Sequence, residues 1–80
     1  MNEKEYLESI LIPLLTQKDD LEVIQTSDER GVLLSVTAHK DDMGRIIGKA
    51  GITANSIRTL MRQYGATRQL HISVKINDAK

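Results

Sequence analysis

Cysteine, phenylalanine and tryptophan are absent from this chain of 80 residues, and its only aromatic side chains are those of Tyr6 and Tyr64. Without cysteine there is neither a disulfide nor a thiolate metal site, as is usual for proteins of a reducing compartment. Two tyrosines are too few for the aromatic surfaces on which RNA-recognition-motif and cold-shock domains stack bases. The sequence therefore argues against those two classes and leaves room for a groove lined by aliphatic side chains.

Long apolar runs are also missing, and the first six residues, Met-Asn-Glu-Lys-Glu-Tyr, are acidic and polar. A signal peptide needs an apolar segment behind a basic start, and a membrane-spanning helix needs about 20 predominantly apolar residues. We therefore expect a cytoplasmic protein without a membrane span. The length predicts one domain over residues 1–80, with residues 77–80 as a flexible tail.

The 11 basic and 11 acidic residues cancel, but they are unevenly distributed along the chain. Residues 1–42 carry ten acids and four bases, whereas residues 43–77 carry six bases and no acid. The six bases are Arg45, Lys49, Arg58, Arg62, Arg68 and Lys75. Because a one-sided charge distribution attracts a polyanion, the second half of the chain predicts a nucleic-acid partner.

Apolar periodicity predicts a helix at the start of the chain and three strands after it. The helix is expected over residues 3–17, with a kink or break at Pro13, because proline lacks the N–H that would bond the carbonyl of Ser9. Strands are expected over residues 21–27, 32–39 and 69–76, and a turn at residues 28–31 joins the first two as a hairpin. The alternation in the last strand points four side chains inward: Leu70, Ile72, Val74 and Ile76.

Two more helices are predicted between the second and third strands. The first is short and is capped by Asp41 or Asp42, and its apolar residues are Met43, Ile46 and Ile47. The second runs from residue 51 or 52 to about Tyr64, with Gly65 as the residue that follows its C-terminus. Its apolar face is expected to consist of Ile57, Leu60, Met61 and Tyr64.

This element order, α-β-β-α-α-β, predicts an α+β fold. The hairpin makes the first two strands antiparallel, and the helical crossover is long enough to make the second and third strands parallel. The result is a three-stranded mixed sheet with three helices packed on one face.

The stretch from Gly44 to Gly51 reads Gly-Arg-Ile-Ile-Gly-Lys-Ala-Gly and joins the two central helices. Its Gly-x-x-Gly loop, residues 48–51, lets the backbone approach another molecule closely, because glycine has no Cβ atom. The loop runs into a helix start, which favours an anion, and Lys49 adds a positive charge. These features predict capture of a nucleic-acid phosphate backbone. We expect no enzymatic activity, metal ion or cofactor.

With these elements in place, the chain resembles a KH domain. The resemblance rests on Ile46-Ile47-Gly48-Lys49-Ala50-Gly51-Ile52, followed by Ala54 and by Ile57-Arg58-Thr59-Leu60. The extra helix and strand ahead of the motif are similar to the type II, prokaryotic variant. The resemblance covers almost the whole chain and extends to the short, free-standing bacterial KH proteins of the KhpA type. Pro13 and the short connection from Gly65 to Arg68 depart from the expected pattern.

The resemblance implies a single-stranded RNA-binding protein, an RNA chaperone or post-transcriptional regulator, whose loop clamps the backbone of about four nucleotides. In this role Gly48 and Gly51 allow close approach, and Lys49 is the charge at the loop tip. The implied RNA-binding residues are the loop itself, the aliphatic walls of a base groove and the polar rim of that groove: Gly48, Lys49, Ala50, Gly51, Ile47, Ile52, Arg45, Asn55 and Arg58.

The resemblance further implies self-association, or pairing with a larger RNA-binding protein that carries its own KH domain. It also implies a link to cell-wall organisation, cell shape and division. An alternative function is therefore a protein-interaction module that uses the KH fold to form homodimers or heterodimers. Its interface would involve the outward-facing Leu33, His39 and His71, or Ile52 beside the loop.

Three rival interpretations of the same residues are weaker. Gly44 to Ala50 approaches the P-loop pattern, but it lacks one spacer residue and the Ser or Thr that holds Mg²⁺. The spacing of Gly44 and Gly48 matches a helix-dimer motif that belongs in an apolar membrane segment. His39 and His71 are expected on outward strand positions, and with no third ligand they do not predict a metal site.

Overall fold

A computed structural model describes residues 2–77 of the chain. It contains three α-helices and three β-strands in the predicted order. They are α1 (Glu3–Leu11), β1 (Glu22–Asp28), β2 (Gly31–Thr37), α2 (Lys40–Ile47), α3 (Ile52–Ala66) and β3 (Ile72–Ile76). Short 3₁₀ turns occupy Ile12–Leu14, Lys18–Asp20 and Lys49–Gly51. The tail predicted for residues 77–80 lies outside the described residues from position 78 onward.

Helix α1 begins and ends where local chemistry dictates. The side chain of Asn2 accepts a hydrogen bond from the Glu5 amide, and the Glu5 side chain accepts one from the Asn2 amide, which together form a capping box. The α-helix stops at Leu11, and Pro13 lies in the 3₁₀ turn that follows. The break predicted at Pro13 is therefore confirmed.

The sheet has the order β1-β2-β3, with β1 antiparallel to β2 and β2 parallel to β3. A two-residue turn joins the hairpin, and Asp28 pairs across it with Gly31. The Asp28 carboxylate accepts hydrogen bonds from the amides of Arg30 and Gly31, which fixes the turn. The mixed sheet deduced from the element order is confirmed.

One face of the sheet forms the core with the three helices. Val32, Leu34 and Val36 alternate inward along β2 and are buried. They pack against buried residues from all three helices: Leu7, Leu11, Ile46, Ile57 and Met61. The other face carries polar residues together with the exposed Ile24 and Leu33. This is the predicted α+β arrangement of a type II KH domain.

Both tyrosines of the chain reinforce the contact between α1 and α3. The rings of Tyr6 and Tyr64 stack with their centroids 4.3 Å apart and an interplanar angle of 14°. The guanidinium group of Arg68 lies 3.7 Å from the centroid of the Tyr64 ring. The aromatic residues thus serve packing between helices, with a cation–π contact on the outside.

The C-terminal half of α3 differs from the prediction. The helix continues to Ala66 with Thr67 as its C-cap, so Gly65 lies inside the helix and does not terminate it. Gly65 is buried, and a Cβ atom there would lie 2.5 Å from the carbonyl oxygen of Leu70. The glycine allows the chain to fold back closely toward β3. Leu60 and Leu70, both predicted to face inward, are exposed because β3 begins only at Ile72 and the inward face of α3 is narrower than expected.

The two histidines do not come together. His39 is the N-cap of α2 beyond the end of β2, whereas His71 precedes β3 beside Gly31, at the other end of the sheet. The expectation that both occupy strand positions was wrong. Within residues 2–77 there is no cluster of three or more metal-ligating side chains.

Candidate nucleic-acid interface

The Gly-x-x-Gly loop has an unusual backbone conformation at three of its four residues. Gly48 has φ 74° and ψ 173°, Ala50 has φ 56° and ψ 25°, and Gly51 has φ 77° and ψ 11°. Only glycine reaches the conformation of Gly48 without severe strain, and a left-handed conformation costs alanine about 1–2 kcal/mol. Strain held at an exposed position is typical of binding sites, and it directs attention to this loop.

The loop is well anchored at both ends and open at its tip. Ile46 in the last turn of α2 and Ala54 in the first turn of α3 are buried. Between them, the side chains of Lys49 and Ala50 are exposed. Nothing lies within 4 Å of the place where a Cβ atom of Gly51 would be. A ligand can therefore approach the loop backbone closely on the Gly51 side.

The loop leads directly into the N-terminus of α3. No side chain among the described residues caps this end of the helix. The N–H groups of a first helical turn and the positive end of the helix dipole attract anions. Lys49 lies beside this helix start in the sequence and adds its ammonium charge. The segment has the composition and geometry of an anion-binding site.

Aliphatic side chains flank the loop on both sides. Ile47, at the end of α2, is 41% exposed, and Ile52, at the start of α3, is 64% exposed. Leaving this apolar surface in contact with water costs free energy. Ile52 continues into an apolar patch with the exposed Leu60, bordered by Asn55, Ser56 and Thr59. We call Ile52 and Leu60 the α3 patch.

A groove runs between α3 and β3. Its lining consists of polar side chains from the helix, residues of the strand and the histidine just before the strand: Asn55, Arg58, Thr59, Arg62, His71, Ile72, Ser73 and Val74. Arg62 donates a hydrogen bond to the Thr59 hydroxyl (3.3 Å), which holds its guanidinium along the helix. Because residues 43–77 contain no acid, no carboxylate from this segment opposes a polyanion in the groove.

Arg58 crosses this groove. Its Nε donates to the carbonyl oxygen of Val74 (3.3 Å), and its Nη1 donates to Oδ1 of Asn55 (3.2 Å). The guanidinium therefore connects the helix to the strand. It lines the groove, and its position is set by two contacts with the protein.

The outer edge of β3 forms the other wall. The Val32 amide donates to the His71 carbonyl, and the Asn77 amide donates to the Val36 carbonyl, each at 2.8 Å. Every second residue of a strand makes its backbone hydrogen bonds to the same neighbouring strand. Since His71 and Asn77 bond to β2, the residues Ile72, Val74 and Ile76 direct their N–H and C=O groups away from β2. A row of backbone donors and acceptors thus faces the groove, interrupted where Arg58 occupies the Val74 carbonyl.

Asp42 has a role that the sequence did not indicate. Asp41 or Asp42 was predicted as the helix cap, but His39 caps α2, with Nδ1 accepting from the Asp41 amide (3.0 Å). Asp42 is fully buried in the first turn of α2. Its carboxylate accepts hydrogen bonds from the Thr16 amide (3.0 Å), the Thr16 hydroxyl (2.7 Å) and the Gln17 amide (2.8 Å). It ties the helix that leads to the loop to the segment after α1.

The electrostatic state of Asp42 follows from these contacts. Burial alone would raise the pKa of the Asp42 carboxyl. The hydrogen bonds from Thr16 and Gln17, aided by the charge of Arg45, outweigh burial and lower the pKa below its usual value. Arg45 Nε lies 3.6 Å from Asp42 Oδ1, while its side chain stays 58% exposed. The ion pair therefore holds Arg45 toward the first turn of α2, with more than half of its side chain open to solvent.

The structure thus brings most of the predicted site residues into one region. The loop residues 48–51, with Ile47 and Ile52, form its centre, and Asn55 and Arg58 lie in the adjoining groove. The groove also contains Thr59, Arg62 and the edge of β3, which the sequence analysis did not include in the site. The spacing of Arg58 and Arg62, four residues apart on a helix without nearby acids, was the available signal for Arg62.

Comparison with known proteins assigns the family. A family model described as "KhpA/KhpB, KH domain" matches residues 4–76. The chain belongs to this family.

Three relatives, each named RNA-binding protein KhpA, illustrate the match. The Bacillus subtilis protein is 35% identical over 69 residues, covering 86% of this chain and 85% of the relative. The Streptomyces coelicolor protein is 36% identical over 62 residues, covering 78% of each chain. The Listeria monocytogenes protein is 32% identical over 73 residues, covering 91% of this chain and 96% of the relative. Within residues 2–77, this chain has no helix long and apolar enough to cross a membrane.

Proposed function

We propose that this protein binds single-stranded RNA, holding the sugar-phosphate backbone at residues 48–51 and placing bases in the groove between α3 and β3. The observation that carries the proposal is the loop geometry: a strained, exposed turn that ends at an uncapped helix N-terminus. The name RNA-binding protein, which the KhpA relatives bear, supports the same conclusion.

The binding mode follows from the contacts around the loop. A phosphate approaches Gly51, where no Cβ atom obstructs it, and accepts hydrogen bonds from the first turn of α3. Lys49 and Arg45 neutralise neighbouring phosphates. Ile47 and Ile52 provide aliphatic surface for the bases, which accounts for their exposure in the free protein. The backbone edge of β3 supplies hydrogen-bonding groups for the base edges.

The test is fluorescence anisotropy of a labelled single-stranded RNA pool, using the parent and a Lys49→Asp, Ala50→Asp double variant. Both positions are exposed, and aspartate tolerates the left-handed backbone of Ala50 better than alanine does, so the fold should survive. Loss of binding with unchanged circular dichroism is the expected result. Equal binding by the variant would refute the clamp at the loop.

A matched control separates local contact from net charge. The variant Ser9→Asp, Lys18→Asp changes the net charge by the same amount at exposed positions in the N-terminal half. It should bind RNA nearly as well as the parent at physiological salt, because screening limits the reach of its charges to about 8 Å. If the control lost binding as fully as the loop variant, net charge alone would account for the effect.

Salt dependence provides an independent estimate of the contact. If Arg45, Lys49 and Arg62 neutralise three phosphates, the slope of log K against log salt should be about −2 for a single strand. Affinity should then fall roughly 15-fold between 50 and 200 mM salt. A slope near zero would be incompatible with a backbone clamp.

The α3 patch favours a second function, self-association or pairing with another KH-containing protein. Ile52 and Leu60 expose apolar surface on one helix, and such surface is often an interaction site. Dimerisation would also raise RNA avidity by presenting two weak sites. Sedimentation equilibrium of the parent and Leu60→Ser decides the matter: a parent dimer that Leu60→Ser dissociates supports this function, and a monomeric parent refutes self-association.

A further inference from the structure

The hydrogen bond between Arg58 and the Val74 carbonyl changes what the groove offers to a base. An unmodified strand edge presents the N–H and C=O of one residue side by side. That pair matches adenine, whose ring nitrogen accepts a hydrogen bond from the N–H and whose exocyclic amine donates one to the C=O. In this protein the acceptor half of the pair at Val74 is already occupied by Arg58 Nε at 3.3 Å.

The second acceptor near this position is occupied as well. Oδ1 of Asn55 accepts from Arg58 Nη1 at 3.2 Å. A guanidinium has five N–H groups, and these two hydrogen bonds use two of them. The remaining N–H groups of Arg58, the Asn55 side-chain amide and the Val74 amide are all donors. The middle of the groove is therefore rich in donors, and its two nearest acceptor oxygens, those of Val74 and Asn55, each already accept one N–H of Arg58.

Adenine is the base least suited to such a place. It is the only RNA base without an exocyclic carbonyl oxygen, and its amine requires an acceptor. Guanine, cytosine and uracil each present a carbonyl oxygen, which accepts from a guanidinium; arginine paired with guanine O6 and N7 is the common example. A buried amine left without an acceptor costs more than the hydrogen bond itself contributes.

We propose that Arg58 makes this groove discriminate against adenine and in favour of bases that carry an exocyclic carbonyl oxygen. This inference rests on the proposed binding of RNA in the α3–β3 groove. It assigns to Arg58 a role in base selection beyond that of a positive charge at the rim. The side chain selects because it takes one of the two acceptor positions of the Val74 carbonyl and sets further N–H donors beside it.

Octa-adenosine and octa-inosine are the appropriate probes, because inosine carries O6 where adenosine carries the amine. Anisotropy titrations in lithium chloride limit tetrad formation by inosine. The parent should prefer octa-inosine by about fivefold, the factor expected from one net hydrogen bond. Arg58→Met removes the donors, keeps an apolar stem and frees the Val74 carbonyl, so the preference should fall to about one.

Arg62→Met is the matched control. It removes one positive charge from the same groove, but Arg62 donates to Thr59 and does not touch the Val74 carbonyl in the structure. It should lower the affinity for both octamers equally and leave the fivefold ratio of the two affinities unchanged. If Arg62→Met abolished the ratio as Arg58→Met does, charge and not the Val74 contact would set the preference, and the inference would fall.

The outcomes distinguish the inference from the function on which it rests. If both octamers bind equally to the parent, and the Lys49→Asp, Ala50→Asp variant binds neither, base selection by Arg58 is wrong and RNA binding stands. A preference for octa-adenosine, or a ratio unchanged in Arg58→Met, also overturns the inference. Binding of neither octamer by the parent overturns both proposals.

Discussion

Gly44 and Gly65 both lie inside helices, yet alanine should have opposite effects on stability at the two positions. Replacing a glycine inside a helix by alanine stabilises the helix by about 1 kcal/mol through backbone entropy. At Gly44 in α2, nothing lies within 4 Å of the new Cβ atom, so the full gain is expected. For a domain of this size, 1 kcal/mol corresponds to an increase in Tm of about 5 °C.

At Gly65 the same stabilisation by alanine is opposed by a steric clash. The Cβ atom would lie 2.5 Å from the Leu70 carbonyl oxygen and 3.0 Å from two side-chain atoms of Ile72. The segment cannot easily retreat, because the Leu70 and Arg68 amides both donate to the Gly65 carbonyl, at 2.8 and 2.9 Å. Overpacking of this kind costs about 3 kcal/mol at the upper end of its usual range. Net destabilisation should be about 2 kcal/mol, or a Tm lower by about 10 °C.

Thermal and urea unfolding, followed by circular dichroism, measure both variants against the parent. Unchanged urea m-values would show that stability changed without a change in the extent of folding. The two shifts in Tm should have opposite signs. If Gly65→Ala stabilised the protein as much as Gly44→Ala, the close approach of α3 to the start of β3 would be wrong, and with it the position of one groove wall.

Two further predictions concern the loop and its support. Gly48→Ala should lower the free energy of unfolding by about 3 kcal/mol, because the φ and ψ of Gly48 are nearly restricted to glycine and the new Cβ atom would lie 2.8 Å from the Thr53 amide nitrogen. Gly51→Asn should lower it by less than about 1 kcal/mol, because Gly51 is left-handed and has open space around it. If urea unfolding showed the same loss of stability for Gly48→Ala and Gly51→Asn, the backbone geometry described for the loop would be wrong. The pKa of Asp42 is lower in the folded state than its ordinary value of 3.8. The carboxylate's contribution to stability is therefore fully present above pH 3.8 and is lost as the pH falls through the folded-state pKa. Asp42→Asn should therefore be less stable than the parent at pH 7, and the difference should shrink below about pH 4; a constant difference from pH 7 to pH 2 would show that ionisation of Asp42 is irrelevant.

The features that sequence predicted well are those that depend on neighbouring residues. Short windows of sequence are enough to predict the alternation in β2, the break at Pro13 and the loop between two helices. Asp42 was misassigned because an acid near a helix start has the same local pattern whether it caps the helix or not. Its true partners, Thr16 and Gln17, lie 26 and 25 residues away. Only the packing of α2 against the segment after α1 brings them together.

The groove was predicted less completely than the loop for the same reason. Arg58 could be chosen from its charge and its place after the motif, but its contact with Val74 requires α3 and β3 to be side by side. The same proximity explains Gly65, whose missing Cβ lets the chain turn back toward β3. The exposed backbone edge of a strand cannot be recognised from any particular residue type. Its donors and acceptors are the same for any sequence, and only strand order exposes them.

The anchoring of the loop has a consequence for recognition. Asp42 fixes the start of α2, and the buried Ile46 and Ala54 hold the helices on either side of the loop. The unusual backbone conformation at Gly48 and Ala50 is therefore set by the fold before any ligand arrives. A binding site that is already ordered loses less conformational entropy on association. Because the anchors are buried and the tip residues are exposed, substitutions at Lys49 and Ala50 should change affinity without changing the loop's supports.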